Sequence, residues 1–82
     1  MQKELEEIIG VLRSIKEDAT IPRNIKERLD QAINTLCKGN CEESLKIDQA
    51  MEALDNISDD PNTPMYTRVE VLNIISTLGS KM

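Results

Sequence analysis

Cys37 and Cys41, set in the run Cys-Lys-Gly-Asn-Cys, and the acidic pairs Glu17-Asp18 and Asp59-Asp60 are the residues of this chain with chemistry to offer. Two nearby thiols suggest a metal site, a disulfide or a redox pair. Two ligands do not complete a tetrahedral zinc site, and the chain contains no His to supply the others. An iron–sulfur cluster would need cysteines from another chain. A disulfide across so small a loop adds little stability, and in most cytosols both groups remain thiols. The simpler reading is two small residues at a helix end and a helix start. Carboxylates suit calcium or magnesium, and an up-and-down arrangement of helices brings Glu17, Asp18, Asp59 and Asp60 to one end. Their spacing lacks the alternating ligand order of a calcium loop. Acids beside helix N-termini also stabilise the helix dipole with no ligand at all. No metal or cofactor site is expected.

Absences narrow the chemistry further. Without His the usual general base near neutral pH is missing, and no Ser-His-Asp or Cys-His arrangement exists. Gly10, Gly39 and Gly79 stand alone, so there is no phosphate-cradling loop. Tyr66 is the one aromatic residue, too little for a base-stacking platform, and a net charge of −5 disfavours phosphate binding. The chain is therefore expected to be neither an enzyme nor a nucleic-acid binder.

The elements that position these residues are helices. Leu5, Ile8, Ile9, Leu12 and Ile15 recur at spacings of three and four, which predicts an amphipathic helix over about 2–17. Ile25, Leu29, Ala32, Ile33 and Leu36 do the same over about 22–38, with Pro22 in the first turn and Gly39 as the stop. Asn40 is placed to cap a third helix carrying Ile47, Ala50, Met51, Leu54 and Ile57. Thr63 as cap and Pro64 at the first helical position open a fourth, over about 64–78, with Val71, Ile74, Ile75 and Leu78 on its core face and Gly79 at its end. No segment alternates with period two.

Shifted by 42 residues, Leu12, Ile15, Asp18, Pro22, Ile33, Thr35 and Leu36 fall on Leu54, Ile57, Asp60, Pro64, Ile75, Thr77 and Leu78. The pattern predicts two duplicated helical hairpins, residues 1–38 and 41–82, within a single domain of 82 residues. Short connections make sequential helices antiparallel neighbours. The expected fold is all-α, an antiparallel up-and-down four-helix bundle. The repeat also resembles HEAT-class helical pairs, but open stacks need about three repeats to bury their faces, so a closed bundle is preferred. The charged N-terminus, without a signal-peptide apolar run, and the lack of any ~20-residue apolar stretch point to a cytoplasmic chain with no membrane association.

The halves differ at one place above all. Arg23, Glu27 and Asp30 of the second helix correspond to Met65, Val69 and Leu72 of the fourth, with Tyr66 beside them. This second apolar stripe is either covered inside the bundle or forms a seam for a protein partner or a second copy of the chain. Charge is uneven too. Glu42, Glu43, Asp48, Glu52, Asp55, Asp59 and Asp60 stand against Lys46 alone, while Arg23, Lys26, Arg28 and Lys38 outnumber Glu27 and Asp30. Helices two and three are thus expected to complement one another in part, and the remaining acidic surface would suit a basic partner.

Two runs carry a family resemblance. Glu17-Asp18-Ala19-Thr20-Ile21-Pro22-Arg23-Asn24-Ile25 and Ile57-Ser58-Asp59-Asp60-Pro61-Asn62-Thr63-Pro64 resemble the two proline-containing turns of uncharacterised protein family number 0147, small archaeal proteins. The resemblance spans essentially the whole chain. It implies a compact four-helix bundle in an archaeal cytoplasm, and it brings no activity, cofactor or catalytic residue. Cys37 and Cys41 are not part of the family pattern, although an archaeal origin favours disulfides somewhat more. The expected function is a non-enzymatic interaction or structural module, acting through Met65, Tyr66, Val69 and Leu72. The alternative is a metal- or redox-responsive protein using the acidic turns or the two thiols.

Overall fold

A computed structural model describes residues 2–39 and 42–80, and each apolar stripe forms a helix: α1 (Gln2–Lys16), α2 (Arg23–Cys37), α3 (Glu43–Asp59) and α4 (Met65–Gly79). There is no strand among the described residues. The stripes meet in one core. Leu12, Ile25, Leu29, Ile47, Leu54, Ile57, Val71 and Leu78 are fully buried, while Ile9, Met51 and Ile75 sit half-buried at its margin. Three-and-four spacing keeps these side chains on one face of each cylinder, so one face of each helix suffices to fill the interior. Lacking other aromatics, the core is aliphatic throughout.

The first and third turns lie at the same end, as an up-and-down order requires. Thr20 reaches Tyr66 at the start of α4, and Arg28 and Asn24 of α2 reach Asp60 at the end of α3. The radius of gyration is 11.7 Å, against roughly 12 Å for a compact domain of this length. Helices α2 and α3 pack most closely, followed by α3 with α4 and α1 with α2. The pair α1 and α4 is not among the closely packed ones, and between them runs a shallow groove bordered by Ile8, Val11 and Ile74.

The helix ends differ from the sequence expectation. Pro22 and Pro64 do not open their helices. They occupy the position before, in extended backbone at φ −59°, ψ 152° and φ −57°, ψ 149°. Proline's fixed φ suits that conformation, and its carbonyl still accepts the first helical bonds, from Lys26 and Arg68 N–H. Thr63 is consequently not a cap. Its hydroxyl turns inward, buried, and donates to the Ile57 carbonyl at 2.7 Å. Nor does Gly39 make a left-handed cap, since no glycine among the described residues has positive φ. Helix α2 ends where Lys38 turns extended. The proposed cap Asn40 lies outside the described residues.

Thr67, absent from the expected core, is fully buried in α4, and its Oγ1 has no hydrogen-bond partner among the described residues. A buried hydroxyl left in this state costs free energy that an isosteric methyl does not. Thr67→Val is expected to stabilise the fold by about 1 kcal/mol. The check is a higher urea midpoint at unchanged slope, and an unchanged or lower midpoint would contradict it.

Candidate functional site

Met65, Val69 and Leu72 point away from the core. They are 72%, 51% and 48% exposed, and Tyr66 beside them is 50% exposed. Burial within the bundle, one of the two readings open to this stripe, is thereby excluded. The core face of α4 is carried by Thr67, Val71, Ile74 and Leu78, which leaves the opposite side of the cylinder to these residues. Along the whole helix Arg68 and Glu70 are the only charges, and neither lies on the outward strip. Arg68 is turned back toward α3, where its Nη2 donates to the Asp60 carbonyl at 3.0 Å.

The corresponding residues of α2 behave as an ordinary solvated face. Arg23 and Glu27 form an exposed pair along the helix at 3.9 Å, and Asp30 accepts a hydrogen bond from Lys16 of α1. Tyr66 has a second, structural engagement. The hydroxyl hydrogen of Thr20 goes to Asp18 Oδ1 at 2.7 Å, so Tyr66 Oη is the donor in its 3.3 Å contact with Thr20 Oγ1. The phenol thereby straps the first turn to the start of α4, while half the side chain stays in solvent. Two further exposed apolar residues, Val11 on α1 and Leu45 on α3, were not singled out in the sequence, although both fall off the core stripes of their helices.

The acidic turns close on themselves. Asp18 accepts the Thr20 N–H at 2.9 Å as well as the Thr20 hydroxyl. Asp60 accepts the Asn62 N–H at 2.8 Å and Arg28 Nη1 at 3.1 Å. Both are turns in which a carboxylate caps its own backbone two residues on. No group of three or more His, Cys, Asp or Glu side chains suited to a metal ion occurs among the described residues. Cys37 is an exposed free thiol, and Cys41 lies outside the described residues. The Arg28–Asp60 pair shows part of the complementarity expected between α2 and α3. A polar groove of about 760 Å³ runs over the same two helices, bordered by Gln31, Asn34, Gln49 and Asn56.

The amide and hydroxyl of Thr20, with a lesser contribution from the charge of Lys26, hold the Asp18 carboxyl below its ordinary value of 3.8. A carboxylate whose folded pKa is depressed contributes stability above the unfolded value, and that contribution is lost as pH falls through the folded one. Asp18→Asn is therefore expected to flatten the loss of stability at and below about pH 4, with little effect at neutral pH. Thermal melts across that range provide the check. Parallel acid limbs for the two proteins would show that Asp18 does not contribute.

A small four-helix bundle whose last helix presents an uncharged apolar strip to solvent is the class of protein defined by these features. The chain belongs to the uncharacterised protein family UPF0147, whose family model matches residues 1–80. It is 38% identical over 81 residues to the UPF0147 protein of Methanocaldococcus jannaschii, covering 94% of this chain and 87% of the relative. Against the UPF0147 protein of Pyrococcus horikoshii it is 34% identical over 79 residues, covering 95% and 85%. That of Archaeoglobus fulgidus is 38% identical over 77 residues, covering 94% and 87%. No solved structure matches the chain. Among the described residues, no helix is long and apolar enough to cross a membrane.

Proposed function

We propose that the protein is a non-enzymatic interaction module that engages a protein partner, or further copies of itself, through the outward face of α4. The observation that carries this reading is the exposure of Met65, Tyr66, Val69 and Leu72 on one uncharged strip of a chain in which 30% of residues are charged. An aliphatic strip held in water has little to recommend it unless something covers it, and Met and Tyr are favoured where proteins meet. The reading takes the 42-residue correspondence as a duplicated hairpin in which the outer face of α4 has diverged from the charged face of α2. It places the protein in the cytoplasm, with no nucleic acid, membrane or cofactor involved. The metal- or redox-responsive alternative has no comparable observation behind it.

Affinity capture from the native host with wild type and Val69→Asp as baits tests the reading. A partner, which includes untagged copies of the chain, is expected to be retained by wild type and lost with Val69→Asp. Arg23→Ala, at the corresponding position of α2, is expected to behave as wild type. A folded Val69→Asp protein that retains every wild-type partner would overturn the reading.

A further inference from the structure

We propose that the partner of the α4 face is the same face of a second copy, with the two helices antiparallel. The inference rests on the functional reading of that face and goes beyond it by naming the occupant and its geometry. Met65, Val69, Leu72 and Ser76, all exposed, recur at spacings of four, three and four. That is the seam spacing at which one helix packs against another, not the broader stripe of a helix lying on a core.

The seam is graded in size, from Met65, Val69 and Leu72 in the first half to Ser76 in the second. Run antiparallel, it is complementary to itself. Met65 lies over Ser76 of the second copy and Val69 over its Leu72, and the symmetry axis repeats both layers. A parallel pair would set methionine against methionine and serine against serine, overfilled at one end and hollow at the other.

Charge favours the same arrangement. Each chain carries −5 overall, so two copies meet most readily where neither presents charge, and the α4 strip is such a place. At the N-terminal end of α4 lie the acidic turns with Glu17, Asp18, Asp59 and Asp60. An antiparallel pair holds the two sets of acids at opposite ends and opposes the helix dipoles, whereas a parallel pair crowds them together. A helix of 15 residues is about 22 Å long. A contact of that length belongs to the small interface class, below ~1,200 Å² in total, so the dimer is expected to be weak and reversible.

The test uses full chains carrying Cys37→Ser and Cys41→Ser, with Met65→Cys or Ser76→Cys added, under mild oxidation. In the antiparallel pair, like positions lie eleven residues apart along the axis, roughly 16 Å, beyond the ~7 Å reach of a disulfide. Neither single variant is therefore expected to cross-link alone, and their mixture is expected to form the mixed dimer. Cross-linking of each variant by itself, without the mixed product, would indicate a parallel pair and overturn the proposal. Sedimentation equilibrium of the unmodified chain is expected to show dimer formation that Val69→Asp weakens at least ~100-fold. A wild type that stays monomeric up to ~1 mM also overturns it. If the chain is monomeric but a different host protein is still lost with Val69→Asp, self-pairing fails while the interaction reading stands. If Val69→Asp changes neither measurement, both fail.

Discussion

Leu54→Ala is expected to destabilise the fold by about 3 kcal/mol, the largest effect of any single aliphatic truncation considered. Leu54 is fully buried on α3, the helix with the two most extensive helix–helix contacts, to α2 and α4. The loss has two parts, the transfer free energy of the deleted carbons and the cavity left behind. A core of Leu, Ile, Val and Ala held almost entirely on helices has no large flexible ring to swing into the space, so the cavity part is expected to persist. For a domain of this size each kcal/mol lowers the melting temperature by ~4–8 °C, which puts the drop at roughly 12–24 °C. Against a total stability of about 5–15 kcal/mol, that is a substantial fraction. Leu45→Ala, on the same helix but 48% exposed, should cost no more than about 0.5 kcal/mol. Urea unfolding followed by far-UV circular dichroism measures both. Equal midpoints for the two variants would mean that Leu54 is not the packed position described.

Asp60→Ala is expected to cost about 2 kcal/mol. Its carboxylate, with side-chain exposure of 10%, takes Arg28 of α2 on one oxygen and the Asn62 N–H on the other, with a longer contact from Asn24 at 3.5 Å. The Asp60 carbonyl accepts from Arg68 of α4. One residue thus joins α2, the third turn and α4. Removing the carboxylate leaves Arg28 to rehydrate, which its 42% exposure allows, so the ion pair supplies only part of the cost. A double-mutant cycle with Arg28→Ala is expected to give a coupling of about 1 kcal/mol. Asp60→Asn, which keeps an acceptor for Asn62, should fall roughly halfway. Asp18 corresponds to Asp60 in sequence but bonds only within its own turn, so Asp18→Ala should be the milder change. A coupling of zero, or equal effects at Asp18 and Asp60, would remove Asp60 as a tie between helices.

Most of the fold was legible because helix and core are written in the same three-and-four spacing. The stripe residues of all four helices fall in the core, with Ile9, Met51 and Ile75 relegated to the margin, while Ile21 of the first turn joins the core without belonging to any stripe. The details that were not legible involve choices between local partners. Thr63 has a hydroxyl suited to capping, yet the Ile57 carbonyl across the turn captures it, and proline then stands alone before the helix. Thr67 lies on no expected core stripe, and only the position of α4 on the bundle buries it. The acidic residues at the first and third turns were correctly brought to one end. Their orientations, each toward its own backbone, follow from turn geometry that composition does not encode.

The sequence by itself determined the helices, the inward stripe of each, the antiparallel order and the presence of a second apolar stripe on α4, because all of these follow from local periodicity and short connections. Only the tertiary structure decided what became of Met65, Val69 and Leu72. An apolar face records which side of a helix avoids water, but its burial depends on which neighbours arrive. Helix α4 spends its core face on Val71, Ile74 and Leu78, and the opposite side of the cylinder, with Met65, Val69 and Leu72, stays in solvent.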